Sequence, residues 1–316
     1  MAEWWENLNL FKPGSDDNMG VEDSLNGNFQ KIDEKVGDAL KDKNGKQYTS
    51  IGKRMDEELA ILEQNKKDTQ IALTREFNVV RDDLQHHSIA LRGYRRGAPE
   101  NTYPAFRQAK QMGFWGIKTD LRLTSDKQWV VFTDATVDRT TNGTGEVASK
   151  TLAQMKALDA GLKLGGAYHA DERVLSLKEF LWFCREHNMA AYMEIRVALT
   201  ATDTQELLRI IKEYSMLKRA ALISTTIPDL QLIRDLDPNI QVGFSTSILN
   251  QTNIDYVKPI PNSFIYTVYS QIVPATYILA INAGLQVDGY QAESYDDAQT
   301  AIRNGARRVT TSSVPF

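Results

Sequence analysis

The chain has 316 residues, 42% apolar and 25% charged, with a net charge of −4. That is the composition expected of a soluble globular protein with room for one large domain and an appendage. A single cysteine, Cys184, excludes a disulfide framework and a four-thiolate metal site. No apolar run approaches the roughly 18 residues of a membrane span, and the start MAEWWENLNLF lacks the basic and apolar regions of a signal peptide. The charge gives no bulk attraction to nucleic acid, so neither nucleic-acid binding nor membrane insertion is expected.

The first part of the chain differs from the rest. Residues 1–85 hold 12 Lys plus Arg against 18 Asp plus Glu, whereas the remaining 231 residues carry 25 against 23. A domain boundary is therefore expected near His86–His87. Residues 1–50 combine turn signals (Pro13-Gly14-Ser15, Asn26-Gly27-Asn28, Asn44-Gly45) with Trp4, Trp5, Leu8, Leu10 and Phe11, which have no core of their own to enter. They read as an extended arm, either flexible or docking into a larger assembly. From 51 to 87 no Pro and no Gly follow Gly52, which permits one helix of about 50 Å. Ile51, Leu62, Leu73 and Leu84 recur every eleven residues, with Leu59 and Val80 in the same stripe. That period favours a nearly straight coiled-coil-like bundle, and a stripe so narrow is covered only by self-association. A homotrimer is the preferred state; two or four chains stay open.

Residues 88–316 alternate strand and helix. Strand-like runs fall at 89–91, 115–121, 129–132, 191–195, 220–224, 240–244, 264–269, 285–290 and 306–310, with helical patterns at 102–112, 176–187, 204–217, 227–236, 274–283 and 295–304. Only a short turn around Ser125-Asp126-Lys127 separates the second run from the third. A parallel crossover needs a dozen or more residues, so that pair is a hairpin. Eight strand–helix units remain, the size and rhythm of a (β/α)8 TIM barrel. In such a barrel chemistry sits at the carboxyl ends of the strands. Those ends read Leu91-Arg92-Gly93, Lys118-Thr119-Asp120, Thr133-Asp134 and Glu194-Ile195-Arg196.

At this point a resemblance enters. IALRGYRRGAPENTYPAF, GIKTDLRLTSDKQWVVFTD, ATVDRTTNGTGEVASKTLAQMKALDAG and AYMEIR resemble the glycerophosphodiester phosphodiesterase family in order and spacing. The resemblance implies that the first and third strands end in catalytic histidines and that the second offers Glu-x-Asp to a divalent ion. Here Leu91 and Thr133 stand at the histidine positions and Lys118 at the glutamate. Asp120, the carboxylate Glu194 and the basic Arg196 are kept. Leucine moves no proton, and threonine has no pKa near neutrality. An ammonium group repels a divalent cation at a ligand position. Lys118 is instead expected to take the cation's place, pairing Asp120 and Glu194.

The expected ligand-binding set is Arg92, Lys118, Asp120, Asp134, Glu194 and Arg196, with no catalytic residue and no cofactor. The alternative is that Asp120 and Glu194 still hold a divalent ion such as Ca2+. His86, His87, His169 and His187 do not obviously replace the lost pair. Arg95, Arg96, Arg122 and Arg139 add positive charge to the mouth, either for phosphate or paired with Asp120, Asp134, Asp138 and Glu194.

The arm sequence NLFKPGSDDNMGVEDSLNGNFQKIDEKVG is similar to the start of virion structural proteins from phages of Gram-positive hosts. Arm, striped helix and globular tip together imply a phage tail or baseplate fibre, located in the virion and made in the host cytoplasm. Its expected partners are other tail or baseplate proteins through residues 1–50 and a host teichoic acid at the barrel. The alternative is an active glycerophosphodiester or teichoic-acid phosphodiesterase with an unusual site.

Overall fold

The computed structural model describes residues 88–313 and 315, together with the isolated helical positions Ala60 and Gln64. The chain divides into two compact units, Met1–Arg81 and Asp82–Phe316, and every element below belongs to the second. The expected arm at 1–50 and stalk at 51–87 lie outside the described residues, apart from those two positions.

Nine strands form one sheet: β1 (Ser88–Leu91), β2 (Gly116–Leu123), β3 (Trp129–Val131), β4 (Ala190–Ile195), β5 (Ala220–Ser224), β6 (Gln241–Thr246), β7 (Ser263–Val268), β8 (Gln286–Ala292) and β9 (Arg308–Thr311). All neighbours are parallel except β3, which returns antiparallel to β2. Pairing of β1 with both β9 and β2 closes eight parallel strands into a barrel. The hairpin turns at Lys127, which takes a left-handed φ of 58°. As the short spacing required, β3 is the return strand and not a ninth barrel stave.

The helices are α1 (Tyr103–Gln111), α2 (Leu152–Ala157), α3 (Leu162–Gly165), α4 (Leu177–Glu186), α5 (Ala201–Glu213), α6 (Ile227–Leu236), α7 (Gln251–Val257), α8 (Pro274–Asn282) and α9 (Tyr295–Arg303). Capping boxes start α2 at Thr151/Gln154, α4 at Ser176/Glu179 and α9 at Ser294/Asp297, each satisfying amides that the first turn leaves open. Two expectations shift. The helix placed at 204–217 begins at Ala201, because the Thr200 side chain accepts from the Asp203 amide, and it stops before Ser215, whose φ is 57°. A one-turn helix, α3, also forms in the glycine-rich stretch 161–166, outside every helical pattern read from the sequence. No helix among the described residues is long and apolar enough to cross a membrane.

Alternation along the strands builds two apolar layers. Outward residues such as Ile117, Met193, Leu222 and Val242 meet the inner faces of the helices through Phe106, Phe180 and Leu207. Inward residues Ile89, Tyr192, Ile223, Phe264 and Tyr266 fill the lumen. Gly243 makes room there, since a Cβ on it would stand 2.4 Å from Phe264 Cζ. A polar plug also lies in the lumen: the Arg308 guanidinium stacks on Trp115 at 4.1 Å, Tyr192 accepts from Arg308 at 2.7 Å and donates to Asp288 at 2.9 Å, and Arg307 pairs with Asp288 at 2.8 Å.

Candidate functional site

The site forms where β2 and β4 run side by side in register, with Asp120 opposite Glu194 and Lys118 opposite Tyr192. Period-2 alternation sends Lys118 and Asp120 to the same face of β2. Lys118 is 3% exposed, Asp120 0% and Glu194 5%. The Lys118 Nζ lies 2.7 Å from Asp120 Oδ1 and 2.7 Å from Glu194 Oε2. Arg196, two residues beyond Glu194, closes the ring: its Nε donates to Asp120 Oδ1 at 2.8 Å and its Nη1 lies 3.1 Å from Glu194 Oε1. Burial alone would raise the Asp120 carboxyl, but Lys118, Arg196 and Arg92 override it and hold the group well below the ordinary carboxylate range. Burial likewise opposes the Arg196 charge, while Asp120 and Glu194 push its pKa up.

Arg92 arrives from the other side. It leaves β1 with a left-handed φ of 57°, and its amide donates to the Lys118 carbonyl at 2.6 Å. A β-carbon-bearing residue there costs of order 1 kcal/mol or more, a strain typical of functional turns. Gly93 follows at φ 77°, where a Cβ would meet the Ala105 carbonyl carbon at 2.7 Å. The turn aims Arg92 Nη1 at both oxygens of Glu100, at 3.1 and 3.2 Å, and leaves Nε 3.6 Å from Asp120 Oδ2, without a hydrogen bond.

Thr133, just past β3, donates to Asp120 Oδ2 at 2.8 Å and accepts from Asn101 Nδ2 at 3.1 Å, while Thr119 donates to Asn101 Oδ1 at 2.8 Å. Leu91 lines the pocket above Lys118 and offers no polar atom.

Of the six expected residues, Arg92, Lys118, Glu194 and Arg196 line one cavity of ≈ 260 Å3 with Thr225, Ser245, Tyr266, Tyr290 and Gln291. Asp120 lies beneath them, fully buried. Asp134 is brought instead to Arg139, with Nε 2.5 Å from Oδ2, and is not among the residues lining the cavity.

The sequence reading missed Glu100, which anchors both Arg92 and Arg139, the latter at 2.6 Å. Glu100 lies within IALRGYRRGAPENTYPAF, a stretch that carries the family resemblance, and that is the available signal. Glu100 and Asp134 together raise the Arg139 pKa. Arg122 donates only to carbonyls, Thr133 O at 2.9 Å and Arg196 O at 3.1 Å, and burial followed by the Arg196 charge pushes its pKa down. Asp138 accepts from the Gly145 amide at its side chain and from Lys163 at its carbonyl, and pairs with no arginine among the described residues. Arg95 and Arg96 both reach Glu293, nearly 200 residues away in sequence. Arg92, Lys118, Arg139 and Arg196 are thus matched by four carboxylates, Glu100, Asp120, Asp134 and Glu194, while Arg122 forms no ion pair among the described residues.

Fold and site define a parallel (β/α)8 barrel with a charged pocket at the carboxyl ends of its strands. The chain belongs to the glycerophosphoryl diester phosphodiesterase family, which it matches over residues 92–313. A glycerophosphodiester phosphodiesterase of Caldanaerobacter subterraneus subsp. tengcongensis is 37% identical over 157 residues, 49% of this chain and 64% of the relative. Glycerophosphodiester phosphodiesterase 1 of Bos taurus is 32% identical over 170 residues, 52% of this chain and 50% of the relative. The chain thus spans half to two-thirds of the length of these curated relatives.

Among solved structures, a glycerophosphodiester phosphodiesterase from Agrobacterium tumefaciens str. C58 superposes with a TM-score of 0.64 at 23% identity, covering 72% of this chain and 96% of that one. An Oleispira antarctica phosphodiesterase in complex with its product sn-glycerol-3-phosphate gives 0.67 at 22%, covering 72% and 92%. At such identities the likeness is one of fold.

The donor set does not fit the divalent ion that the family resemblance implies. Such an ion takes at least six oxygens at about 2.0–2.6 Å. Here an ammonium nitrogen stands 2.7 Å from both carboxylates that would be shared. Among the described residues no group of three His, Cys, Asp or Glu side chains is placed to hold a metal.

Proposed function

We propose that this barrel binds a phosphate-containing cell-wall polymer, a teichoic acid, without cleaving it, as the host-attachment tip of a phage tail or baseplate fibre. The observation that carries the binding half is the Lys118 bridge between Asp120 and Glu194, flanked by Arg92 and Arg196 in one pocket. In that pocket the phosphate meets guanidinium groups whose planar forks suit paired phosphate oxygens. The Nη2 ends of Arg92 and Arg196 make no hydrogen bond to the described residues. Ser245, Thr225, Tyr290 and Gln291 offer polar atoms at the rim for the hydroxyls of the polyol.

The silent half of the reading follows from the same geometry. Hydrolysis of a phosphodiester needs a group to take a proton from water and one to give a proton to the leaving alkoxide. Leu91 holds no proton, and the Thr133 hydroxyl is committed to Asp120 as donor and to Asn101 as acceptor. Losing a general acid or base typically costs about 10²–10⁴-fold each, though not additively. The virion part of the reading comes from the arm and stripe of residues 1–87.

The test pairs turnover with retention. The full chain is assayed on glycerophosphoglycerol with Ca2+, with Mg2+ and with chelator, and on immobilised teichoic acid. The expected outcome is retention without turnover, weakened by Arg92→Ala and by added salt. Metal-dependent turnover refutes the silent reading, and full retention by Arg92→Ala moves recognition out of this pocket.

A further inference from the structure

A second cavity, larger than the first at ≈ 460 Å3, lies beside the pocket and takes no part in the account above. The two share a wall. Arg92 and Gln291 line the pocket, while their bonding partners Glu100 and Glu293 line the second cavity.

The second cavity has its own cationic end. Arg95 and Arg96 both pair with Glu293, at 3.0 and 3.4 Å, so two guanidinium groups share one carboxylate. Burial opposes ionisation of Glu293, but Ser312, Gln291 and Arg95 hold its pKa below the usual value, so it stays charged and spoken for. The Arg96 side chain is 50% exposed. The other lining is aromatic: Tyr168 is 90% exposed, with His169 edge-on at 4.8 Å. Leu164 on α3, also in the lining, is nearly half exposed. A single phosphate in the first pocket makes no use of these groups.

We infer that the second cavity is a neighbouring subsite for a polyol-phosphate chain: Arg95 and Arg96 hold the next phosphate, and the Tyr168 ring carries the polyol or its substituent. The occupant is a polymer of at least two repeats rather than a single diester. This rests on the reading of the first pocket as the polymer site, and two subsites joined by one flexible ligand act as a linked pair.

The experiment is calorimetric titration of the full chain, in chelator, with glycerophosphoglycerol, with a synthetic hexamer of glycerol phosphate and with one of ribitol phosphate. The expected result is that one hexamer binds at least about tenfold more tightly than the single diester, beyond the factor set by its number of repeats; the hexamer that does so identifies the backbone. Tyr168→Ala and Arg96→Ala, both at exposed side chains, should abolish that preference and leave the affinity for the single diester unchanged. Equal affinity for diester and hexamers, or full length preference in both variants, overturns the second subsite. Failure of every ligand to bind the unmodified chain overturns the reading of the first pocket, and the second with it.

Discussion

Replacing Lys118 with methionine keeps the aliphatic volume and removes the buried cation. Asp120 and Glu194, with side chains 0% and 6% exposed, then face each other across the vacated ammonium position. Removing one member of a buried ion pair costs about 3–5 kcal/mol, mostly because a charge is left uncompensated. Arg196 still reaches both carboxylates and Thr133 still donates to Asp120, so the lower end applies, about 3 kcal/mol. For a domain of this size that is a fall in Tm of about 6–12 °C.

The pH dependence is the sharper signature. The depressed Asp120 carboxyl contributes stability that is complete above its unfolded value, about 3.9, and lost as pH falls toward the folded value. Without Lys118 the depression shrinks, so the variant's deficit is widest near pH 7 and narrows below about pH 4. Urea unfolding of wild type and Lys118→Met at pH 7 and at about pH 2.5, inside the window between the folded and unfolded Asp120 values, measures both quantities. Adding Glu194→Gln should restore part of the loss by removing one of the two facing charges. Equal stability at pH 7, or a deficit that widens on acidification, would refute the assignment of Lys118 as the counter-charge of this pair.

Three further outcomes are expected. Millimolar Ca2+ should leave the Tm of the unmodified chain unchanged, while Lys118→Glu should gain a Ca2+-dependent rise, read by differential scanning fluorimetry. Thr133→Val leaves a buried Asp120 oxygen and the Asn101 amide short of a partner and should lower stability by about 1–3 kcal/mol in urea titration. Gly243→Ala drives a methyl into the Phe264 ring, itself packed against Tyr192 at 5.9 Å and Arg307 at 5.4 Å, and should cost about 1–3 kcal/mol with altered near-ultraviolet circular dichroism.

The barrel was legible because its strands are short β-branched runs at regular spacing and because the 124–128 turn is too short for a crossover. Helix α7 was not, since Gln251–Val257 is seven mostly polar residues with no strong apolar stripe, held by the Asn250 cap and by Ile254 and Val257 beneath it. At the site, Lys118, Asp120, Glu194 and Arg196 came together as expected because i, i+2 spacing on adjacent parallel strands dictates it. Pairs that depend on loop paths were out of reach of spacing alone. Glu100 bridging Arg92 to Arg139, and Glu293 receiving Arg95 and Arg96, join segments whose approach is set by the closed barrel. Of the carboxylates named as partners for the mouth arginines, three take that part, Asp134 for Arg139 and both Asp120 and Glu194 for Arg196, whereas Asp138 does not and Glu100 and Glu293 do.

The Lys118 bridge has a consequence for how such a site responds to its surroundings. A cation covalently tethered as a side chain cannot diffuse away, so its place is filled whatever metal ions the medium contains, and no chelator strips it out. It is also fixed in valence: an ammonium group has three N–H bonds and no more, and here it donates to Asp120 while lying in ion-pair contact with Glu194. A hard cation expands its shell to admit an incoming oxygen and sharpens its pull as the reaction proceeds. This one has a fixed number of donors and one unit of charge, and neither can grow to meet an incoming group.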